Sequence, residues 1–211
     1  VLDQIKEKLL PETHTLISVV SGLGTKQIIN LLGKKIPVVR AMPNTPAAVD
    51  EGMTAYCGGQ HADPDALALA DMVLAAVGET IRLSEDLLDA VTAVSGTGPA
   101  YVFLLAEALT EAAIREGLPH HAAEQLVHQT LRGAGMLLSG SDKSAFRLRG
   151  EVTSPGGTTA AAMHVLEEGG FRALMEDAFE GRGGSQSDAV PAQSPEESSP
   201  PTKVDRPTLD R

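Results

Sequence analysis

Apolar residues change their spacing once along this chain, near residue 84, and the change separates two kinds of structure. Before it, extended apolar runs alternate with helical patterns. Leu2, Ile5, Leu9 and Leu10 recur at helical spacing, and Leu16–Val20 reads as a strand. A short helix from Thr25 to Leu32 follows, then extended runs over Ile36–Ala41 and around Met53–Cys57. Asp63 and Pro64 start a helix that ends near Val77, and Thr80–Leu83 closes as a short strand. Parallel strands need helical crossovers, so residues 1–83 are expected to form half of an α/β unit on a mostly parallel sheet. Val1 stands inside a helical pattern already under way, which suggests a fragment of a longer protein.

From residue 84 to about 180 alanine and leucine dominate at helical spacing. Leu105, Ala108, Leu109 and Ala112 share one face, and Leu126, Leu131, Ala134 and Leu138 share another. Small residues there let helices approach closely, while four Phe, two Tyr and no Trp supply little bulk. So thin a core favours burial against a second copy of the chain. Residues 181–211 are rich in Ser, Pro, Gly and charge, and read as a disordered tail.

Composition removes several function classes. A net charge of -11 leaves no basic surplus for nucleic-acid phosphates or an anionic membrane. The single cysteine, Cys57, permits neither an intrachain disulfide nor a cysteine-based zinc site, and fits a reducing compartment such as the cytoplasm, with the mitochondrion as the alternative. The six histidines form no metal constellation. No uninterrupted apolar run approaches the roughly 18 residues of a spanning helix, and no hydrolase or P-loop motif is present.

Three segments remain that can carry chemistry. Thr153–Thr159, TSPGGTT, runs directly into a helix, whose start offers unpaired N–H groups and a positive dipole end. Gly156 and Gly157 clear the approach of a small carboxylate, although a turn followed by a threonine N-cap accounts for the same residues. Ala93–Tyr101, AVSGTGPAY, places Pro99 in a first helical turn, with Gly96 and Gly98 allowing close backbone contact. Arg40–Pro46, RAMPNTP, follows an apolar strand at the end where α/β sheets place ligands, and Asn44 serves either a ligand or its own turn. A fourth segment, Gly22–Gly24, follows a strand and opens a helix. Gln27 stands where a dinucleotide fingerprint needs its third glycine, so the segment is rejected as a pyrophosphate loop.

Taken in order, ISVVSG, VVRAMPNTPAAVDEG, EDLLDAVTAVSGTGPAYVFLLAEAL and VTSPGGTTAAAMHVLEEGGF resemble successive signatures of pyrroline-5-carboxylate reductases, with the cytosolic vertebrate isozyme the nearest in likeness. The resemblance implies a partial Rossmann-like domain lacking its amino-terminal half over residues 1–83. An all-helical dimerisation and substrate domain follows over 84–180. It also implies hydride transfer from NADPH or NADH to the cyclic imine 1-pyrroline-5-carboxylate, giving L-proline. Val19, Val20 and Ser21, with Met42, Pro43 and Asn44, then correspond to cofactor contacts. Ser154 and Thr159 take catalytic roles, while Gly156, Gly157, Thr158 and Thr159 hold the substrate, with Glu85 associated with it through the dimer interface. Glu151 departs from the family by standing where a polar cofactor contact is expected, and its charge threatens to repel a cofactor phosphate. Without a first strand and its glycine loop, cofactor affinity is expected to be poor. The rival readings are an inactive subunit serving only assembly, and a reductase of another imine or keto acid.

Overall fold

Glycines bracket the first regular helix, and they fix its limits. The structure, a computed structural model, describes residues 1–183. It opens on one helical turn, α1 (Leu2–Ile5), continued as a 3-10 turn over Lys6–Lys8 rather than as the longer helix expected to Leu10. Lys34 donates from Nζ to the carbonyls of Lys6 at 2.5 Å and Leu9 at 3.1 Å, satisfying groups that a short helix leaves bare. Strand β1 (Leu16–Ser18) precedes α2 (Thr25–Leu32). Gly24 is the N-cap of α2, and Gly33 ends it in the left-handed region at φ 63°.

Strands β2 (Val38–Met42) and β3 (Gly52–Gly58) follow, then α3 (Pro64–Leu74) and β4 (Gly78–Arg82). The sheet order is β1-β2-β3-β4. The β1/β2 and β3/β4 pairings are parallel, as expected, but β2/β3 is antiparallel. The cause is the connection. Between Met42 and Gly52 the chain has room only for a 3-10 turn over Thr45–Val49, reversed at Asp50 with φ 61°, and a parallel return needs a longer crossover.

Burial follows the pleat. Val38 packs with Ile28, Leu32 and Ile36 beneath α2, while its neighbour Val39 packs with Ala41, Tyr56, Leu67, Ala70 and Leu74 beneath α3. Leu88 is fully buried with Ala55 and Cys57, joining the helical part of the molecule to the sheet. Strand β1 is shorter than the apolar run predicted because pairing with β2 ends at Ser18, leaving Val19 and Val20 exposed.

The helical part comprises α4 (Leu88–Val91), a π-helical turn over Thr92–Gly96, α5 (Gly98–Arg115), α6 (His120–Ser139), α7 (Ala145–Glu151), α8 (Thr158–Glu168) and α9 (Phe171–Gly183). Helix α9 reaches three residues into the segment read as a tail, and the remainder of that segment lies outside the described residues. Among the described residues of this part only Leu88, Thr92, Ala93, Ala123 and Val127 are buried, and α5 buries none. Phe103, Leu104, Leu105 and Leu109 on α5, and Leu126, Met136, Leu137 and Leu138 on α6, are exposed. The helical run Glu85–Arg115 is long and apolar enough to cross a membrane by length and composition, although charged residues interrupt its apolar stretches. That much uncovered apolar surface marks an interaction face.

Candidate active site

The loop before α8 owes its shape to its glycines. Gly156 has φ 70°, which favours glycine, and a β-carbon on Gly157 would come 2.5 Å from Oγ of Ser154. The Gly157 N–H donates to the Ser154 carbonyl at 3.1 Å, and Thr153 donates from Oγ1 to the Arg149 carbonyl at 2.7 Å, which ties the loop to α7. Gly157, not a threonine, is the N-cap, and no side chain caps α8. The first-turn N–H groups of α8 and the hydroxyls of Ser154, Thr158 and Thr159 are therefore left available to a ligand. Exposed Glu151, expected to repel a phosphate, is paired with Lys143 at 2.6 and 2.9 Å.

Glu167 anchors the other side of this loop. It accepts from Arg172 Nε at 2.8 Å, from Arg172 Nη2 at 2.8 Å and from Arg149 Nη1 at 3.1 Å, joining α7, α8 and the start of α9. The Arg172 hydrogen bonds, aided by Arg149, pull its carboxyl down to about 2. An acid with a folded-state pKa below its unfolded value stabilises above the unfolded pKa and loses that contribution as pH falls through the folded one. The melting-temperature deficit of Glu167→Gln is accordingly expected to be constant from pH 7 to about 5 and to shrink as pH falls from about 4.5 towards 2. A deficit that stays constant down to pH 2.5 would contradict the assignment.

A second group of residues forms at the sheet end. Parallel pairing of Ser18 with Arg40 brings the segments after β1 and β2, Val19–Ser21 and Met42–Asn44, to the same side. The Asn44 side chain is engaged within the protein. Its Oδ1 accepts from the Met53 N–H at 2.8 Å and its Nδ2 donates to the Ser95 carbonyl at 3.1 Å, so it staples β3 to the π-helical turn. Met42 Cε would lie 3.3 Å from a β-carbon on Gly96, which explains that glycine, whereas Gly98 faces open space. Pro99 occupies the first turn of α5, as expected.

Glu85 belongs to this second group. Its carboxylate accepts from the Thr25 N–H at 2.6 Å and from the Thr25 hydroxyl at 2.8 Å, and lies 3.8 Å from Arg40 Nη1. Buried Arg40 also reaches Asp89 at 3.4 Å. Sequence reading missed Thr25 and Arg40, although a lone arginine within the apolar run VVRAM was a signal that a buried charge needed a partner. The N-terminus of α2 thus already holds a carboxylate.

No metal-binding group of three or more His, Cys, Asp or Glu occurs among the described residues. His14 accepts from the Leu10 N–H at 2.9 Å as a local cap, and His120 and His164 face glutamates one turn on. Burial pushes the Cys57 thiol up to about 11, which makes it a packing group.

The chain is similar to known proteins in sequence and in fold. The family model for pyrroline-5-carboxylate reductase dimerisation matches residues 85–182. A pyrroline-5-carboxylate reductase of Synechocystis is 40% identical over 84% of this chain and 67% of its own length. One from Arabidopsis thaliana is also 40% identical, over 83% of this chain and 63% of its own length. Human pyrroline-5-carboxylate reductase 2 has the same identity over 79% and 53%, and the chain spans about half to two thirds of its relatives' length. The Coxiella burnetii enzyme structure superposes with TM-score 0.84 at 40% identity, covering 88% of this chain and 69% of that one. The Plasmodium falciparum structure, with NADP bound, gives 0.79 at 31% identity, covering 88% and 72%. A partial Rossmann-like sheet followed by a helical domain that matches the dimerisation model, at this identity and coverage, places the chain in the pyrroline-5-carboxylate reductase family.

Proposed function

We propose that this chain carries the substrate site and part of the nicotinamide site of a reductase converting 1-pyrroline-5-carboxylate to L-proline with NADPH or NADH. The observation that carries it is the uncapped start of α8. A glycine-shaped loop leaves N–H groups and three hydroxyls available where a small carboxylate is to be held. The cofactor would supply the hydride. Val19 and Val20, exposed at the sheet end beside Met42, fit the apolar half of a nicotinamide ring, and the Plasmodium relative binds NADP. The N–H groups of Thr158 and Thr159 hold the carboxylate, and the Thr159 hydroxyl orients the imine nitrogen. An unshifted hydroxyl is a poor acid near neutral pH, so orientation, not proton donation, is its role.

A second copy of the chain is the occupant of the α5 and α6 face. Glu107 and Glu111 lie on α5 beside its apolar residues, and the matching family model concerns dimerisation, which together favour a protein partner over a lipid one.

The test is pyrroline-5-carboxylate-dependent oxidation of NADPH and NADH. Thr159→Ala is expected to lower turnover roughly tenfold, the worth of one orienting hydrogen bond of about 1.4 kcal/mol. Unchanged turnover would remove Thr159 from the site. Absence of oxidation by a chain that still dimerises would favour the assembly reading.

A further inference from the structure

Glu85 sits where three parts of the molecule meet. It lies at the entrance to the helical part, reaches across 60 positions to the first residue of α2, and faces a guanidinium rooted in β2. Helix α2 has a glycine N-cap with no side chain to offer, so Glu85 supplies the missing acceptor for the Thr25 N–H and places a negative charge at the positive end of the helix. Gly24 is what allows this approach, because a β-carbon there would stand 3.2 Å from Glu85 Oε1.

The two elements held by Glu85 are those that carry the sheet-end segments. Val19–Ser21 runs into α2 through Gly22–Gly24, and Met42–Asn44 begins two residues after Arg40. The substrate loop belongs to the helical part, which begins at this same residue. Asn44 adds a second tie from the sheet end to Ser95.

We propose that Glu85, paired with Arg40 and Thr25, is a positioning residue that sets the sheet-end segments against the helical part, and so sets the cofactor against the substrate loop. The kinetic half of this proposal rests on the reductase reading, but its structural half does not. Glutamine at position 85 keeps an acceptor for Thr25 but removes the charge that faces Arg40, while Thr25→Val keeps the charge and removes one donor.

The test measures orientation directly, by electron–electron double resonance between spin labels at Met72→Cys on α3 and His164→Cys on α8. Labelled chain is diluted with unlabelled chain, and Cys57 is buried and stays unlabelled. The unaltered junction is expected to give one narrow distance distribution, broadened at least about twofold by Glu85→Gln and less by Thr25→Val. Turnover under Glu85→Gln is expected to fall at least tenfold, with KM for the imine within twofold. Narrow distributions in both variants would overturn the proposal whatever the turnover. A broadened distribution in a protein that never oxidises NADPH or NADH would uphold the latch and sink the reductase reading. Should Glu85→Gln fail to fold, Thr25→Val alone decides, and an unbroadened distribution there overturns the proposal.

Discussion

Replacing Gly78 with alanine is expected to destabilise the fold by more than about 4 kcal/mol, beyond the usual range for a point substitution. Two effects combine. Gly78 has φ 141°, a conformation that residues with a β-carbon rarely adopt, and a β-carbon there would fall inside the van der Waals envelope of the Gly52 carbonyl oxygen and nitrogen. A β-carbon at Gly52 would in turn stand only 2.8 Å from the Val77 carbonyl oxygen, so the strands approach here too closely for a side chain at either position. The two glycines are partners in the first register of the β3/β4 ladder, so the clash strikes where that pairing begins. Gly117→Ala separates the effects, because Gly117 has φ 98° with nothing near its β-carbon position. That variant is expected to lose about 1–2 kcal/mol from conformation alone. Urea unfolding of both variants checks the ordering, and equal losses would mean that the close approach of Gly52 and Gly78 is relieved at little cost.

Most of the secondary structure was legible because local signals sufficed. The limits of α2 are those predicted, since Gly24 and Gly33 punctuate an amphipathic run, and Asp63 caps α3 by accepting from the Ala66 N–H at 2.8 Å. What was not legible depended on partners distant in sequence. The reversal between β2 and β3 depends on the length of a connection too short for a parallel crossover, which the turn-forming residues of MPNTP do not themselves announce. Val19 and Val20 have strand-forming side chains, but pairing partners, not propensity, ended β1 at Ser18. Family resemblance associated Glu85 with the substrate; its contacts with Thr25 and Arg40 form a junction that no local pattern announces. Asn44 is similar: its turn is local, but its two hydrogen bonds reach Met53 and Ser95.

The glycine loop was the reverse case. TSPGGTT announced a helix start, and the structure adds why both glycines are needed. One supplies the positive φ, and the other clears Oγ of Ser154. Taken alone, these residues favoured a threonine cap over a ligand site. Gly157 at the cap position leaves the Thr158 and Thr159 hydroxyls uncommitted, which favours the second.

Leu104→Glu is expected to abolish assembly of the helical part without unfolding the chain. Leu104 is 64% exposed in the isolated chain, so a carboxylate there remains in water and has little effect on the monomer. In a dimer the same position would be covered, with Phe103 and Leu105 beside it on α5 and no cation within this stretch of the helix to pair with the new charge. Burying an unpaired carboxylate costs several kcal/mol, so the dimer should weaken by at least about 100-fold. Sedimentation velocity distinguishes the outcomes, with circular dichroism checking that helix content is retained. A monomer with unchanged helicity would identify the exposed face of α5 as the contact between copies. A dimer that survives the substitution would move that contact elsewhere, and the apolar run Glu85–Arg115 would then need a different occupant.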